Sequence, residues 1–87
     1  MRRQGEPASA QYAALAEDSY GRVDRGYNYV QLGQYERAIQ DYDKAIQLDP
    51  NEASAYYLRG VAYGQLGEHV EASADKAKAC SLDSQYC

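Results

Sequence analysis

Apolar side chains recur along this chain at steps of four and three. Tyr12, Ala16, Tyr20, Val23, Tyr27 and Val30 form one such series, with Leu15 beside it, and the spacing predicts a helix from Ala8 or Ser9 to about Leu32. Gly33 follows as a left-handed stop. Gly21 lies inside this stretch and costs about 1 kcal/mol relative to alanine, so the first helix is either continuous or broken near it. A second helix is predicted over residues 35 to 48, with Ala38, Tyr42 and Ala45 on one face. Asp49, Pro50 and Asn51 end it, because proline disfavours helical geometry in the residue before it. A third helix covers roughly Glu52 to Leu66 behind Asn51 as its cap and stops at Gly67; a fourth runs from His69 to about Leu82. The alternating stretch Tyr27 to Val30 falls inside a stronger helical period, so no strand competes. Residues 1 to 8, polar with Gly and Pro, are expected to be a disordered tail.

The pattern repeats. Aligning residue 19 with residue 53 matches Arg25 to Arg59, Gly26 to Gly60, Tyr29 to Tyr63, Leu32 to Leu66, Gly33 to Gly67, Ala38 to Ala72, Ala45 to Ala79 and Leu48 to Leu82. A period of this size marks an all-α stack of antiparallel helix-turn-helix repeats, a solenoid fragment. The reading divides the chain into a tail (1–8), a helical extension (9–18), repeat one (19–52) and repeat two (53–86). Function is then sought on a surface rather than in a pocket.

The hairpin RGYNYVQLGQYERAIQDYDKAIQLDP resembles the tetratricopeptide repeat, carried by Gly26, Tyr29, Ala38, Tyr42, Ala45 and Pro50. Gly26 and Ala38 leave room for two helix backbones to approach, and Tyr29 and Tyr42 fill the gaps around them. In the second repeat Gly60, Tyr63, Ala72 and Ala79 follow, but Lys76 stands where the aromatic belongs and Ser84 where the proline belongs. Lys76 has two readings: a terminal helix facing water where a further repeat would sit, or a natural chain that continues. The resemblance implies a non-enzymatic binding scaffold whose concave groove is lined by the first helix of each repeat. In that register the groove positions are Tyr20, Val23, Tyr27 and Val30, then Ser54, Tyr57, Val61 and Gly64, with Tyr12 extending the seam upstream.

An apolar seam of this kind calls for a partner. The contact set expected is Tyr12, Tyr20, Val23, Tyr27, Val30, Tyr57 and Val61. Homodimerisation through a long first helix is the leading expectation, since two repeats fall below the three that usually make a stable stack. The alternative is a monomeric scaffold segment that takes an amphipathic helix or peptide in its groove. A third arrangement folds the N-terminal segment back over the groove. Peptide-binding members of the resembled family hold a terminal carboxylate with Lys and Asn on groove positions; Val23, Tyr27, Val30 and Tyr57 occupy them here, so no carboxylate clamp is expected.

Composition narrows the partner further. The 87 residues carry a net charge of -4 with acids and bases interspersed, so nucleic-acid binding is not expected. Ten tyrosines with no Phe or Trp suit half-buried contact faces, each ring bringing apolar area and a hydroxyl. No run of about eighteen apolar residues occurs, so membrane insertion by a helix is not expected. Met1, Arg2 and Arg3 lead into Gln4, Gly5, Glu6 and Pro7 and do not read as an export signal.

Cys80 and Cys87 would lie about 10.5 Å apart on one continuous helix, beyond the roughly 7 Å that a disulfide spans, so a bridge requires the helix to end between them. KACSLDSQYC resembles an arrangement that some cysteine-rich bacterial relatives of helical repeats carry as a disulfide; the other reading is a small core Cys80 and a frayed terminal Cys87 thiol. Reduced cysteines would suit the cytoplasm, a disulfide the periplasm or an extracellular setting. His69 is expected to pack or cap, and with two cysteines it makes no recognisable metal site. Glu36, Asp41, Asp43, Glu68 and Glu71 are expected on solvent faces, with no nucleophile and base, no phosphate loop and no cofactor motif, so catalysis is not expected.

Overall fold

The computed structural model describes residues 18–87, which form four α-helices: α1 (Ser19–Gln31), α2 (Tyr35–Leu48), α3 (Ala53–Gln65) and α4 (His69–Leu82), followed by a 3₁₀ turn over Ser84–Tyr86. Among the described residues there is no strand. Each helix packs on the next, and α1 also touches α3. Two antiparallel hairpins are thus stacked side by side, the all-helical repeat architecture that the spacing predicts.

Both hairpin turns are closed by the same device. Gly33 and Gly67 adopt φ 76° and 80°, a region that costs glycine nothing. Around them Gln34 N–H donates to Tyr29 C=O (2.8 Å) and Gly33 N–H to Val30 C=O (2.9 Å), with Glu68 to Tyr63 and Gly67 to Gly64 repeating the pattern. Those two bonds satisfy carbonyls that a helix end otherwise leaves open.

The boundary between the repeats rests on aspartate. Asp49 is extended before Pro50, and its carboxylate accepts from Asn51 N–H at 3.1 Å. Asp83 does the same for Gln85 at 3.1 Å although Ser84 replaces the proline. The turn survives that substitution because the side chain of Asp83 supplies a local bond. Asn51 does not cap α3 as expected: the capping position is Glu52, whose carboxylate caps no backbone N–H of the helix and instead accepts from Ser54 Oγ at 2.8 Å.

The first helix also begins differently from the continuous reading. Asp18 is extended (ψ 178°), and its carboxylate accepts from Gly21 N–H at 2.8 Å. A cap that uses the Gly21 amide starts α1 there, and Gly21 lies within the first turn of that helix with no break at it. The tail, the extension over residues 9–18 up to that cap, and Tyr12 lie outside the described residues.

The core lies between α1, α2 and α3. Val23, Ala38, Tyr42, Ala45 and Ala55 are buried together, with Tyr29, Val30, Ile46 and Leu58 packed against them. Tyr42 is the one large side chain that is fully enclosed among the described residues. It fills the space under Gly26, where a β-carbon would come within 2.6 Å of its ring. In repeat two Lys76 takes that place under Gly60, its Cγ 3.1 Å from where a β-carbon would be. As a result α4 buries only Ala72, Asp75 and Ala79. Its small apolar payload is supplemented by the ion pair of Asp75 with Arg59 of α3.

Candidate functional site

Three of the acids expected or overlooked on solvent faces are instead the ties of the fold. Asp41 is only 3% exposed. It accepts from Arg25 through two bonds of 2.8 Å and from Arg22 at 3.2 Å. Arg59 repeats the two-pronged grip on Asp75, again at 2.8 Å, and adds a 2.8 Å bond to Asp43 of the first repeat. The Asp41 expectation is therefore corrected: its carboxylate is enclosed because two guanidinium groups on the neighbouring helix meet it. Burial alone would push the Asp41 carboxyl up, but the Arg25 and Arg22 bonds and charges outweigh it, and the net shift is below the usual range. The Asp75 bond raises Arg59, burial takes part of that back and Asp43 adds to it, so Arg59 remains a fixed charge.

The same arginines reach the tyrosines. Arg25 and Arg37 lie over the Tyr29 ring at 6.0 and 5.8 Å, and Arg59 over Tyr56 and Tyr63 at 5.7 and 5.8 Å. A phenol ring tolerates this better than a purely packed residue, since its face meets a cation while its hydroxyl meets water.

The expected contact set separates into three groups. Tyr20 and Tyr27 are open, 67% and 47% exposed. Val30, Tyr57 and Val61 are half-buried. Val23 is withdrawn, at 9% exposure and within the core cluster, because α2 and α3 close over that side of α1. The groove is thus a narrower tyrosine stripe than a uniform apolar seam. His69 is exposed at the start of α4, with Glu68 and not His69 in the capping position, so it neither packs nor caps.

One end of the stripe was not legible beforehand. An open cleft is lined by Tyr20, Ser54 and Tyr86, with Asp49, Glu52 and Asp83 around them. Tyr86 lies on the 3₁₀ turn and stacks on Tyr57 of α3, ring centres 5.0 Å apart at 28°. Helix α4 ends at Leu82, between the cysteines, and Cys80 and Cys87 are joined as a disulfide with their Cα atoms 4.7 Å apart. The free-thiol alternative is set aside. The covalent tie closes the chain end onto α4, and Tyr86 within that closed loop stacks on Tyr57.

Among the described residues no group of three or more His, Cys, Asp or Glu side chains is placed to hold a metal, and no helix is long and apolar enough to cross a membrane.

Two hairpins with Schellman turns, a glycine under an aromatic ring and an open first-helix face define a helical-repeat scaffold. The family model described as TPR repeat matches residues 26–67, and that described as Tetratricopeptide repeat matches residues 53–86. The chain belongs to the tetratricopeptide-repeat family, with about two repeats. No curated protein matches it in a sequence comparison. Repeats of this family generally mediate protein–protein interaction and are typically non-catalytic.

Proposed function

We propose that this chain binds a protein segment, an amphipathic helix or an extended peptide, along the tyrosine stripe of its first-helix face. Tyr20 and Tyr27 of α1 supply the open rings, with Val30, Tyr57 and Val61 beside them. The observation that carries this reading is the exposure of Tyr20 and Tyr27, seven residues apart on α1, beside Val23, which the neighbouring helices bury. Rings left open at helical spacing offer apolar area to a partner while their hydroxyls stay hydrated.

Homodimerisation is the second reading. It is favoured by that same seven-residue spacing, which suits two copies of α1 crossing each other, and by a repeat number below the usual stable stack. Helix α1 starts at the Asp18 cap and offers only 13 residues for such a crossing, which favours segment capture as the first reading.

Light scattering on a sizing column over a range of concentrations separates the two readings. A monomer that binds helical peptides selected from a display library, and loses them in Tyr27→Asp with helicity retained, supports segment capture. A reductant-independent dimer that Tyr27→Asp dissociates supports self-association. Unfolding of Tyr27→Asp would place that ring in the core and remove the basis of both.

A further inference from the structure

We propose that the Cys80–Cys87 disulfide is a redox-controlled clasp that holds Tyr86 over Tyr57 and so sets how much of the interaction face is open. The inference rests on the tyrosine stripe being that face.

The chain end is fastened in two ways of different strength. Its hydrogen bonds are all local: Asp83 N–H to Ala79, Tyr86 N–H to Asp83, Cys87 N–H to Ser84, and Gln85 to the Asp83 carboxylate. They shape the turn, and none of them reaches α3. The disulfide is the fastening that returns Cys87 to α4, 4.7 Å from Cys80 between Cα atoms. With both ends of the turn fixed, Tyr86 has little freedom and stays stacked on Tyr57, while also lining the cleft that Tyr20 lines. With the bond opened, residues beyond Asp83 are held at one end, and a single ring stack works against the conformational entropy of a free chain end.

The bond is placed where a reductant can reach it, since Cys87 is exposed and Cys80 half-buried. A dithiol supplies the two electrons. Its thiolate attacks Cys87 Sγ, forming a mixed disulfide and releasing Cys80 as a thiolate that takes up a proton. The second thiol of the reductant then attacks its own sulfur in the mixed disulfide, freeing Cys87, which is also protonated. The dithiol leaves as a cyclic disulfide, and two electrons and two protons have passed to the protein.

The test uses the full chain, oxidised and after dithiothreitol, with two readouts and circular dichroism to confirm that helicity is kept. Ring-to-ring nuclear Overhauser effects report the Tyr57–Tyr86 stack, and the uncharged dye Nile red reports open apolar face. Reduction is expected to abolish the ring-to-ring signal and raise dye affinity several-fold. Cys80→Ser/Cys87→Ser should match the reduced state, and oxidised Tyr86→Ala, with its disulfide intact, should reach the same dye affinity. A ring signal that persists after reduction overturns the clasp. Dye affinity equal in both states, in a protein whose uptake Tyr27→Asp still weakens, overturns its control of the face while leaving the face itself standing. Uptake indifferent to Tyr27→Asp in both states brings down the face, and the clasp with it.

Discussion

The ring of Tyr42 occupies the place where a side chain on residue 26 would begin, 2.6 Å from a β-carbon built there. This contact lets α1 and α2 close on each other, and it makes the first repeat more tightly specified than the second. Gly26→Ala gains about 1 kcal/mol of helix propensity but must displace a ring with nowhere to go, an overpacking cost of about 1 to 3 kcal/mol. Urea denaturation should show Gly26→Ala less stable than the wild type and less stable than Gly60→Ala. In Gly60→Ala the new β-carbon meets the flexible Lys76 stem and the Ala72 carbonyl oxygen, each at 3.1 Å. Equal losses at both glycines would mean that Tyr42 is free to move.

Tyr42 also hides its hydroxyl, which has no hydrogen-bond partner among the described residues. Leaving such a group dry costs about 1 to 3 kcal/mol, so Tyr42→Phe should be neutral to stabilising. Burial, with Asp41 and Tyr27 adding to it, holds this phenol neutral well above its usual range. The unfolded chain ionises Tyr42 first, so stability is fully present below about pH 10 and is lost as pH rises above it. Alkaline denaturation curves of wild type and Tyr42→Phe should diverge there, the variant losing less.

Asp41 governs the opposite end of the pH scale. Its folded pKa is depressed, so the stability it contributes is present above the unfolded value, about pH 4, and drains away as pH falls through the lower folded value. Asp41→Asn should cost about 1 to 3 kcal/mol at neutral pH, less than the loss of a fully buried pair because Arg25 is half exposed and can return to water. It should also flatten the acid limb of the stability curve. An unchanged acid limb would show that other carboxylates set it.

The stripe should reject acidic C-terminal peptides. The cations on α1 and α3 are Arg22, Arg25 and Arg59, and each is engaged with Asp41, Asp43 or Asp75. A peptide carboxylate would have to compete with bidentate contacts already made. Isothermal titration at physiological salt should show no selective binding of such peptides, and saturable binding that amidation of the C-terminus abolishes would sink this expectation.

Much of the fold was legible because it depends on short-range rules. Gly33 and Gly67 announced both hairpin turns, and α2 and α4 begin and end where the apolar spacing places them. The site was less legible. Val23 falls in register with Tyr20 and Tyr27, and periodicity cannot say which member of a seam a neighbouring helix will cover. Asp41 looked like a solvated charge because its partners lie on another helix. A signal was nevertheless present: Arg25 to Asp41 and Arg59 to Asp75 share one separation of 16 residues in both repeats. Tyr86 was invisible, since it lies in a loop closed by a covalent bond whose formation the sequence left open.

Arg59 grips Asp75 within its own repeat and Asp43 in the one before it. In a linear array, stability is the sum of what each unit contributes and what each junction adds. Here the weaker unit, whose last helix buries mainly alanines, is coupled to the stronger by Ala55 and Leu58 in the shared core and by this guanidinium across it. The two hairpins should therefore melt in a single transition, and cutting the Asp43 rung should lower its midpoint while leaving it single, because the shared core still makes the two hairpins one cooperative object.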